Sequence, residues 1–188
     1  MNRRVLLLII GPLLLPLGCG DNDGPTGPPA VPPAVPPVPL VLEPSEFCSD
    51  HPDAAVATFE DANLEAVIRA ALSVGAQEDL TCGLISGLTE LDARWSEITS
   101  LVGIQNLTGL TALWLHDNSI TDIGALSGLT GLASLSLGNN PNLTDIQPLL
   151  DNMGLGGGDR VYLRATSVSC TDVTALQAKG VTVQSDCP

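Results

Sequence analysis

Apolar and polar positions recur along residues 88–169 with a period of 22 residues. Each copy begins with alternating apolar and polar residues, which is the pattern of a half-buried β-strand, and continues into a turn. Three columns of aliphatic residues align when one extra residue near Pro141 and a glycine-rich insertion before the fourth copy are allowed: Leu91, Leu113, Leu135 and Val161; Ala93, Leu115, Leu137 and Leu163; Ile98, Ile120, Leu143 and Val168. One copy cannot bury its aliphatic side chains alone, so we expect about four copies to stack around a continuous core beside a parallel sheet.

Polar residues form a further column where the chain leaves each strand. Asn118 and Asn140 occupy it in the second and third copies, and a buried amide there can bond backbone groups of the turn. Ser96 and Thr166 occupy it in the outer copies, where we expect only partial bonding. The fourth copy is degenerate and follows a glycine-rich stretch at 154–158.

Residues 59–72, with the sequence FEDANLEAVIRAAL, have a helical pattern. Four aliphatic residues fall on one face of this helix: Leu64, Val67, Ile68 and Leu72. Either Asp61 or Asn63 can cap its start. The pattern predicts an amphipathic helix within an N-terminal cap over residues 46–87.

The repeats are similar to the bacterial 22-residue leucine-rich repeats of internalin-like proteins, over roughly residues 59–188. The resemblance implies an α/β fold: a short right-handed solenoid with a parallel sheet on its concave face and an N-terminal helical cap. It also implies recognition of a protein or another surface through the concave sheet, with no chemistry and no particular ligand.

The N-terminus reads MNRRVLLLIIGPLLLPLGCG, in which two arginines precede an apolar run that ends at Gly18-Cys19. This order is typical of a secretory signal, and the run is short and proline-interrupted for a membrane anchor helix, which is the alternative. Its end resembles a bacterial lipoprotein signal, although Pro16 departs from the usual apolar residue. The resemblance implies removal of residues 1–18, lipidation of Cys19 and a membrane anchor there. Gly20 favours the outer membrane over retention at the inner one.

Prolines dominate the following segment and exclude helix and central strand. We expect residues 19–45 to be a lipid-anchored, extended spacer of roughly 60–80 Å. A ligand for a proline-binding domain is the alternative.

Four cysteines remain besides Cys19, which allows three pairings. We predict the local pairs Cys48–Cys82 and Cys170–Cys187, because each would close one open end of the solenoid, the second within a C-terminal cap at 170–188. A metal site is the alternative. It is disfavoured because the chain has no CxxC motif and only two histidines, so we expect no metal.

The net charge and the absence of catalytic motifs disfavour several classes of partner and activity. The net charge is −14, and loss of Arg3 and Arg4 with the signal would make it −16, which disfavours nucleic acid and anionic lipid as partners. The chain has no GxSxG, HExxH or Walker motif. Carboxylate pairs such as Asp92 with Glu90 or Asp117 lie on an open sheet that does not exclude water. We therefore expect no catalytic residues, no enzyme activity and no cofactor.

The concave face collects both tryptophans, the only tyrosine and three arginines of an otherwise acidic chain. Exposed aromatic residues and arginine are enriched in binding hot spots. The candidate ligand-binding residues are Asp92, Arg94, Trp95, Trp114, His116, Asp117, Ser136, Arg160, Tyr162 and Arg164. The alternative is a row of solvated strand residues, with the arginines paired to Glu90, Asp92 and Asp159.

A notch is expected over the third strand, whose outward residues are small or polar: Ser134, Ser136, Gly138 and Asn139. Trp114 and His116 would form one wall and Tyr162 and Arg164 the other, roughly 10 Å apart. This width suits one sugar ring, with Arg160 and Arg164 holding an anionic group. The sequence thus predicts a monomeric, exported module that binds a protein or glycan; the alternative is a passive envelope-spacing lipoprotein.

Overall fold

Five short parallel strands form one sheet, in chain order, in the computed structural model, which describes residues 38–188. The strands are β1 (Glu90–Asp92), β2 (Ala112–Trp114), β3 (Ser134–Ser136), β4 (Arg160–Tyr162) and β5 (Thr182–Gln184). Their register places Leu91, Leu113, Leu135, Val161 and Val183 in one row. The 22-residue alignment is therefore confirmed at the level of strand pairing.

The fifth strand corrects the expected repeat number. Residues 170–188 were expected to form only a cap, but they contain helix α4 (Cys170–Ala178) and then β5, which pairs with β4. Arg160 is in register with Thr182, so the 22-residue spacing continues one copy further. This copy lacks leucine in its strand, and the helix replaces the usual turn, so the sequence pattern alone did not identify it.

Short helical segments return the chain from each strand to the next. They are the 3-10 turns at Ile104–Asn106 and Gly124–Leu126, helix α3 (Gln147–Asp151) and helix α4. Helix α2 (Cys82–Ser86) and a further 3-10 turn at Cys48–Asp50 precede β1. The aliphatic side chains between the strands and these segments form a single buried cluster. Burial of this cluster supplies the main stabilisation of a solenoid.

The buried amide of Asn118 is fully hydrogen-bonded. Its Nδ2 donates to the carbonyl oxygens of Ala93 (2.8 Å) and Leu115 (2.9 Å). Its Oδ1 accepts from the backbone N–H groups of Ser96 (3.1 Å) and Ile98 (3.0 Å). The amide therefore joins two successive copies, as the polar column predicts.

Asn140 repeats this arrangement one copy later. Its Nδ2 donates to the carbonyl oxygens of Leu115 and Leu137, and its Oδ1 accepts from the N–H of Ile120. In the fourth copy, the Thr166 hydroxyl donates only to the Leu163 carbonyl. The partial bonding expected at this outer position is confirmed.

Helix α1 (Ala62–Leu72) precedes the first strand, and Leu64 and Ile68 are completely buried on its inner face. Asp61 is the N-cap, because its side chain accepts from the N–H groups of Asn63 and Leu64. Of the two candidate caps, the helix therefore uses Asp61. No helix in the described part of the chain is long and apolar enough to cross a membrane.

The folded part begins earlier than the expected tether boundary at residue 45. Val56 donates to the carbonyl oxygen of Leu40 (2.7 Å), and Leu42 donates to that of Val56 (2.9 Å). Leu42 is only 2% exposed, and the Pro44 carbonyl accepts from Gln105. Leu42, which follows the last closely spaced prolines, is thus part of the core. The lipidation site and the rest of the proposed tether lie outside the described residues.

Both expected disulfides are present. Cys48–Cys82 joins the 3-10 turn before α1 to helix α2, and Cys170–Cys187 joins the start of α4 to the end of the chain. The Cα–Cα distances are 5.4 and 5.5 Å, as disulfides require. The two bonds thus lie in the segments that precede β1 and follow β4.

Candidate functional site

The candidate site is the open face of the sheet, here called the sheet face. Each strand buries its central residue and directs its outer residues away from the core, because side chains alternate along a strand. In β4, for example, Val161 is buried, Arg160 is exposed and Tyr162 is half-buried. The ten predicted ligand-binding residues lie in the outward rows of these strands or directly after them. That they contact a ligand stays a prediction.

A column of residues with left-handed backbone follows the first four strands. Its members are Trp95 (φ 51°), Asp117 (φ 61°), Asn139 (φ 52°) and Ala165 (φ 55°). Asp and Asn tolerate this conformation better than other residues with side chains do. Asn139 also donates to Asp117 across the column (2.9 Å). Tryptophan is therefore the unusual occupant, since its bulky side chain gains no such local bond.

Trp95 is 65% exposed yet held between two neighbours. The guanidinium carbon of Arg94 lies 5.0 Å from the ring centroid, which is within cation–π distance. The His116 ring meets Trp95 edge-on, with centroids 5.1 Å apart and planes at 80°. We call Trp95, Arg94 and His116 the Trp95 platform.

A bidentate ion pair fixes the Arg94 side of the platform. Arg94 donates to both carboxylate oxygens of Asp92, from Nε at 2.7 Å and from Nη2 at 2.6 Å. The hydrogen bond from Arg94 lowers the pKa of Asp92, and the same bond raises the pKa of Arg94. Arg94 is therefore paired, as the alternative of solvated, ion-paired strand residues expects.

The other two arginines of the sheet face do not follow that alternative. Within residues 38–188, the Arg–carboxylate pairs within 4.0 Å involve neither Arg160 nor Arg164. Asp159, the expected partner, instead accepts from the N–H of Gly156 (2.8 Å). The expected pairing is thus wrong for these two residues, and Asp159 bonds within its own turn.

The predicted notch is partly filled. His116 was expected to be one of its walls, but Nδ1 lies 3.2 Å from Oγ of Ser136 on the floor. Ser136 is consequently only 9% exposed. Nε2 of His116 lies 3.8 Å from the Asp117 carboxylate on the other side. The imidazole therefore bridges the second and third copies, and the more open part of the floor lies towards Ser134.

The face is also one strand wider than the sequence predicts. Thr182 and Gln184 of β5 are exposed, and they are paired with Arg160 and Tyr162. Beyond the strand, the Asp186 carboxylate accepts from the N–H of Ala165 (2.6 Å). Continuation of the 22-residue spacing past residue 169 is the signal that could have identified these residues.

No group of three or more His, Cys, Asp or Glu residues in the described part is arranged to hold a metal ion. The sheet face has an aromatic ring held at one side and two cations at the other.

Comparisons with known proteins agree with this architecture. The profile of the family Leucine Rich repeats (2 copies) matches residues 108–151. An internalin (InlF) from Listeria monocytogenes str. 4b F2365 is 32% identical with a TM-score of 0.58, over 66% of this chain and 36% of that chain. The functional domain of InlJ from Listeria monocytogenes, which includes a cysteine ladder, is 28% identical with a TM-score of 0.55, over 68% of this chain and 26% of that one.

No curated protein sequence matches the chain. The chain contains leucine-rich repeats in an internalin-like fold of mixed α/β class, and it spans about a third of the InlF chain and a quarter of the InlJ chain.

Proposed function

We propose that this protein is a non-catalytic recognition module that binds a protein or glycan through its sheet face. The observation that carries the proposal is the Trp95 platform: a 65% exposed tryptophan with left-handed backbone, held between Arg94 and His116. Leucine-rich-repeat proteins of this type are typically protein-binding modules, which supports the same conclusion.

Energetics favour a binding role for Trp95 over a structural one. Left-handed backbone costs a non-glycine residue roughly 1–2 kcal/mol. An exposed ring regains little of this free energy by burial. At the equivalent positions the next two copies have Asp117 and Asn139, which tolerate left-handed backbone better. Strained residues that the surrounding structure holds in place tend to cluster at functional sites.

The platform is suited to contact because it is ordered before a ligand arrives. The ion pair with Asp92 holds Arg94 on one side of the ring, and the bond to Ser136 holds His116 on the other. A ring held in this way loses little conformational entropy on binding. Its free surface can stack on a sugar ring or receive an apolar side chain.

We also propose that the module is lipid-anchored in the cell envelope. Residues 1–18 would be removed, Cys19 lipidated, and a proline-rich tether would run from Cys19 to the folded part. The two disulfides support an oxidising, extracytoplasmic location. Helix α1 would cap the first repeat, and a monomer at the outer membrane fits these features.

The test compares ligand capture by matched variants. Two soluble proteins are prepared, both carrying Cys19→Ser: one keeps Trp95 and the other carries Trp95→Asn. Each is immobilised and exposed to glycan arrays and to envelope and extracellular proteins. We expect at least one ligand whose binding to Trp95→Asn is weaker by at least fivefold, equivalent to about 1 kcal/mol.

Ala165→Asn is the control, because it introduces the same asparagine at the equivalent left-handed position without removing a ring. This variant should retain the ligand. If Trp95→Asn binds every captured molecule as strongly as wild type does, and its circular dichroism is unchanged, recognition through Trp95 is wrong. The passive spacing role is then the better description of the protein.

A further inference from the structure

We infer that the β4 part of the sheet face binds an acidic polysaccharide, with Arg160 and Arg164 holding the carboxylates of its uronic acid units and Tyr162 stacking on a sugar ring. The inference rests on the proposed function, since it assigns a ligand class to the same face. We call Arg160, Tyr162 and Arg164 the β4 triplet.

Among the lysines and arginines of residues 38–188, Arg160 and Arg164 are those whose side chains form no hydrogen bond or ion pair within the protein. Arg69 bonds Glu65 and two carbonyl oxygens, and Arg94 bonds Asp92. The Lys179 ammonium donates to the carbonyl oxygens of Leu149, Leu150 and Asn152 at 2.6–3.1 Å. Within residues 38–188, side-chain hydrogen bonds and ion pairs hold these three cations and leave Arg160 and Arg164 free.

The β4 triplet has the spacing of an extended site. Its members alternate along one strand and its continuation, so they project to the same side. A rise of about 3.3 Å per residue puts the two arginine Cα atoms about 13 Å apart, with Tyr162 midway. The backbone stays aligned at Arg164, because its carbonyl accepts from the N–H of Asn139 (2.8 Å).

The strand neighbours of the triplet are uncharged and polar. Ser134 lies beside Arg160 on one neighbouring strand, and Thr182 and Gln184 lie on the other. These groups can exchange hydrogen bonds with sugar hydroxyls. Two carboxylates near in the sequence, Asp159 and Asp186, keep their charge but each accepts a backbone N–H. Within residues 38–188 no carboxylate forms an ion pair with Arg160 or Arg164, so both guanidinium groups are available to an anion.

This combination favours a carboxylated sugar over other anions. The guanidinium fork binds a carboxylate in two parallel hydrogen bonds, and the half-buried tyrosine ring offers a flat apolar surface. Two cations are few for a nucleic acid, which needs many phosphate contacts. The overall charge of −14 repels any polyanion, including a uronate, at long range. Physiological salt screens this repulsion beyond about 8 Å, so pairing with the two arginines stays effective at contact.

Uronate oligosaccharides are the probes. Soluble mature chain with Cys19→Ser is titrated with oligogalacturonate, oligoglucuronate and oligomannuronate by calorimetry, and each is compared with its methyl ester, which keeps the rings and removes the charge. We expect at least one uronate to bind, with its ester weaker by about tenfold or more, the effect of losing one charged hydrogen bond.

Variants then locate the site. Arg160→Gln and Arg164→Gln should each weaken the uronate by about tenfold, and Tyr162→Ala should weaken it while Tyr162→Phe does not. Arg69→Gln is the matched control, because it removes the same charge from helix α1, outside the sheet face. It should bind within about twofold of wild type.

Polyglutamate, titrated in the same way, serves as the anionic peptide probe. Four results overturn the inference: no uronate binds, the ester binds equally well, Arg69→Gln weakens binding as much as Arg160→Gln, or polyglutamate is preferred over every uronate. The proposed function fails separately. If Trp95→Asn loses a ligand but no uronate binds, or uronate binds the Arg160→Gln/Arg164→Gln double variant as it binds wild type, only the inference is wrong. If none of the sheet-face variants alters any binding, the recognition role itself is wrong.

Discussion

The carboxylate of Asp61 bonds both the backbone N–H (2.8 Å) and the hydroxyl (2.9 Å) of Thr99 through Oδ2. The same oxygen accepts from the N–H of Ser100, while Oδ1 caps helix α1. One buried side chain therefore connects the helix to the turn of the first repeat, across 38 residues of sequence.

This bonding makes stability depend on pH. Burial, the largest single influence, raises the pKa of Asp61, but the hydrogen bonds from Thr99, Leu64 and Ser100 together outweigh it and lower the pKa. A carboxylate with a lowered folded-state pKa stabilises the fold above its unfolded value of about 3.9. That contribution is lost as the pH falls through the folded-state pKa.

We expect Asp61→Asn to lower the free energy of unfolding at neutral pH by about 1–3 kcal/mol, since an amide places a donor where two donors already point. The variant should also lose less stability on acidification than wild type. Urea unfolding at neutral pH and below about pH 4 measures both effects. Glu60→Gln, at an exposed neighbouring carboxylate that bonds Ser100 Oγ, should keep the wild-type pH profile.

Trp95→Asn should raise the free energy of unfolding by about 0.5–1 kcal/mol, because asparagine tolerates left-handed backbone and the lost ring contacts are exposed. Ala165→Asn should stabilise by a similar amount. Urea unfolding monitored by circular dichroism measures this without relying on tryptophan fluorescence. A loss of more than about 1 kcal/mol in Trp95→Asn would make the ring a structural element and contradict the strain argument.

Asn140→Leu should lower the free energy of unfolding by at least about 2 kcal/mol. It leaves the carbonyl oxygen of Leu137 and the N–H of Ile120 without their side-chain partner, whereas the Leu115 carbonyl keeps its bond from Asn118. Each unpaired buried group costs about 1–3 kcal/mol. Asn142→Leu, at an exposed position of the same loop, should change stability by less than about 0.5 kcal/mol. Equal effects of the two changes would show that the polar column contributes little.

Removal of the Cys170–Cys187 disulfide by paired Cys→Ser changes should cost around 3 kcal/mol if loop entropy dominates. The effect should be local, because β5 is the last strand and the disulfide closes the loop that contains it. Hydrogen exchange should therefore increase at Thr182–Gln184 before it increases at Ala112–Trp114. Uniform loss of protection would instead indicate that the solenoid unfolds as one cooperative unit.

Cys19→Ser should move the exported protein from the detergent phase to the aqueous phase. The basic start, the apolar run and Gly18-Cys19 motivate this expectation. Intact-mass measurement should show wild type beginning at Cys19 with added acyl mass. Wild type that stays aqueous and is cleaved elsewhere would rule out the lipid anchor.

The 22-residue period was enough to assign the aliphatic columns, the strand register and the bonding of Asn118 and Asn140. A repeat places the same type of residue at the same height in every turn, so neighbours in space can be read from positions in the sequence. The amphipathic helix and both local disulfides follow from equally local patterns around residues 48–82 and 170–187.

Only the tertiary structure decided the features that depend on contacts between dissimilar segments. Leu42 joins the core because Val56 lies in reach of its backbone, and β5 forms because the edge of β4 is available to pair with it. On the sheet face, His116 lies within hydrogen-bond distance of Ser136, whereas Asp159, before β4, bonds Gly156 and does not pair with Arg160. Such choices depend on side-chain rotamers and competing hydrogen bonds, which alternation along a strand does not encode.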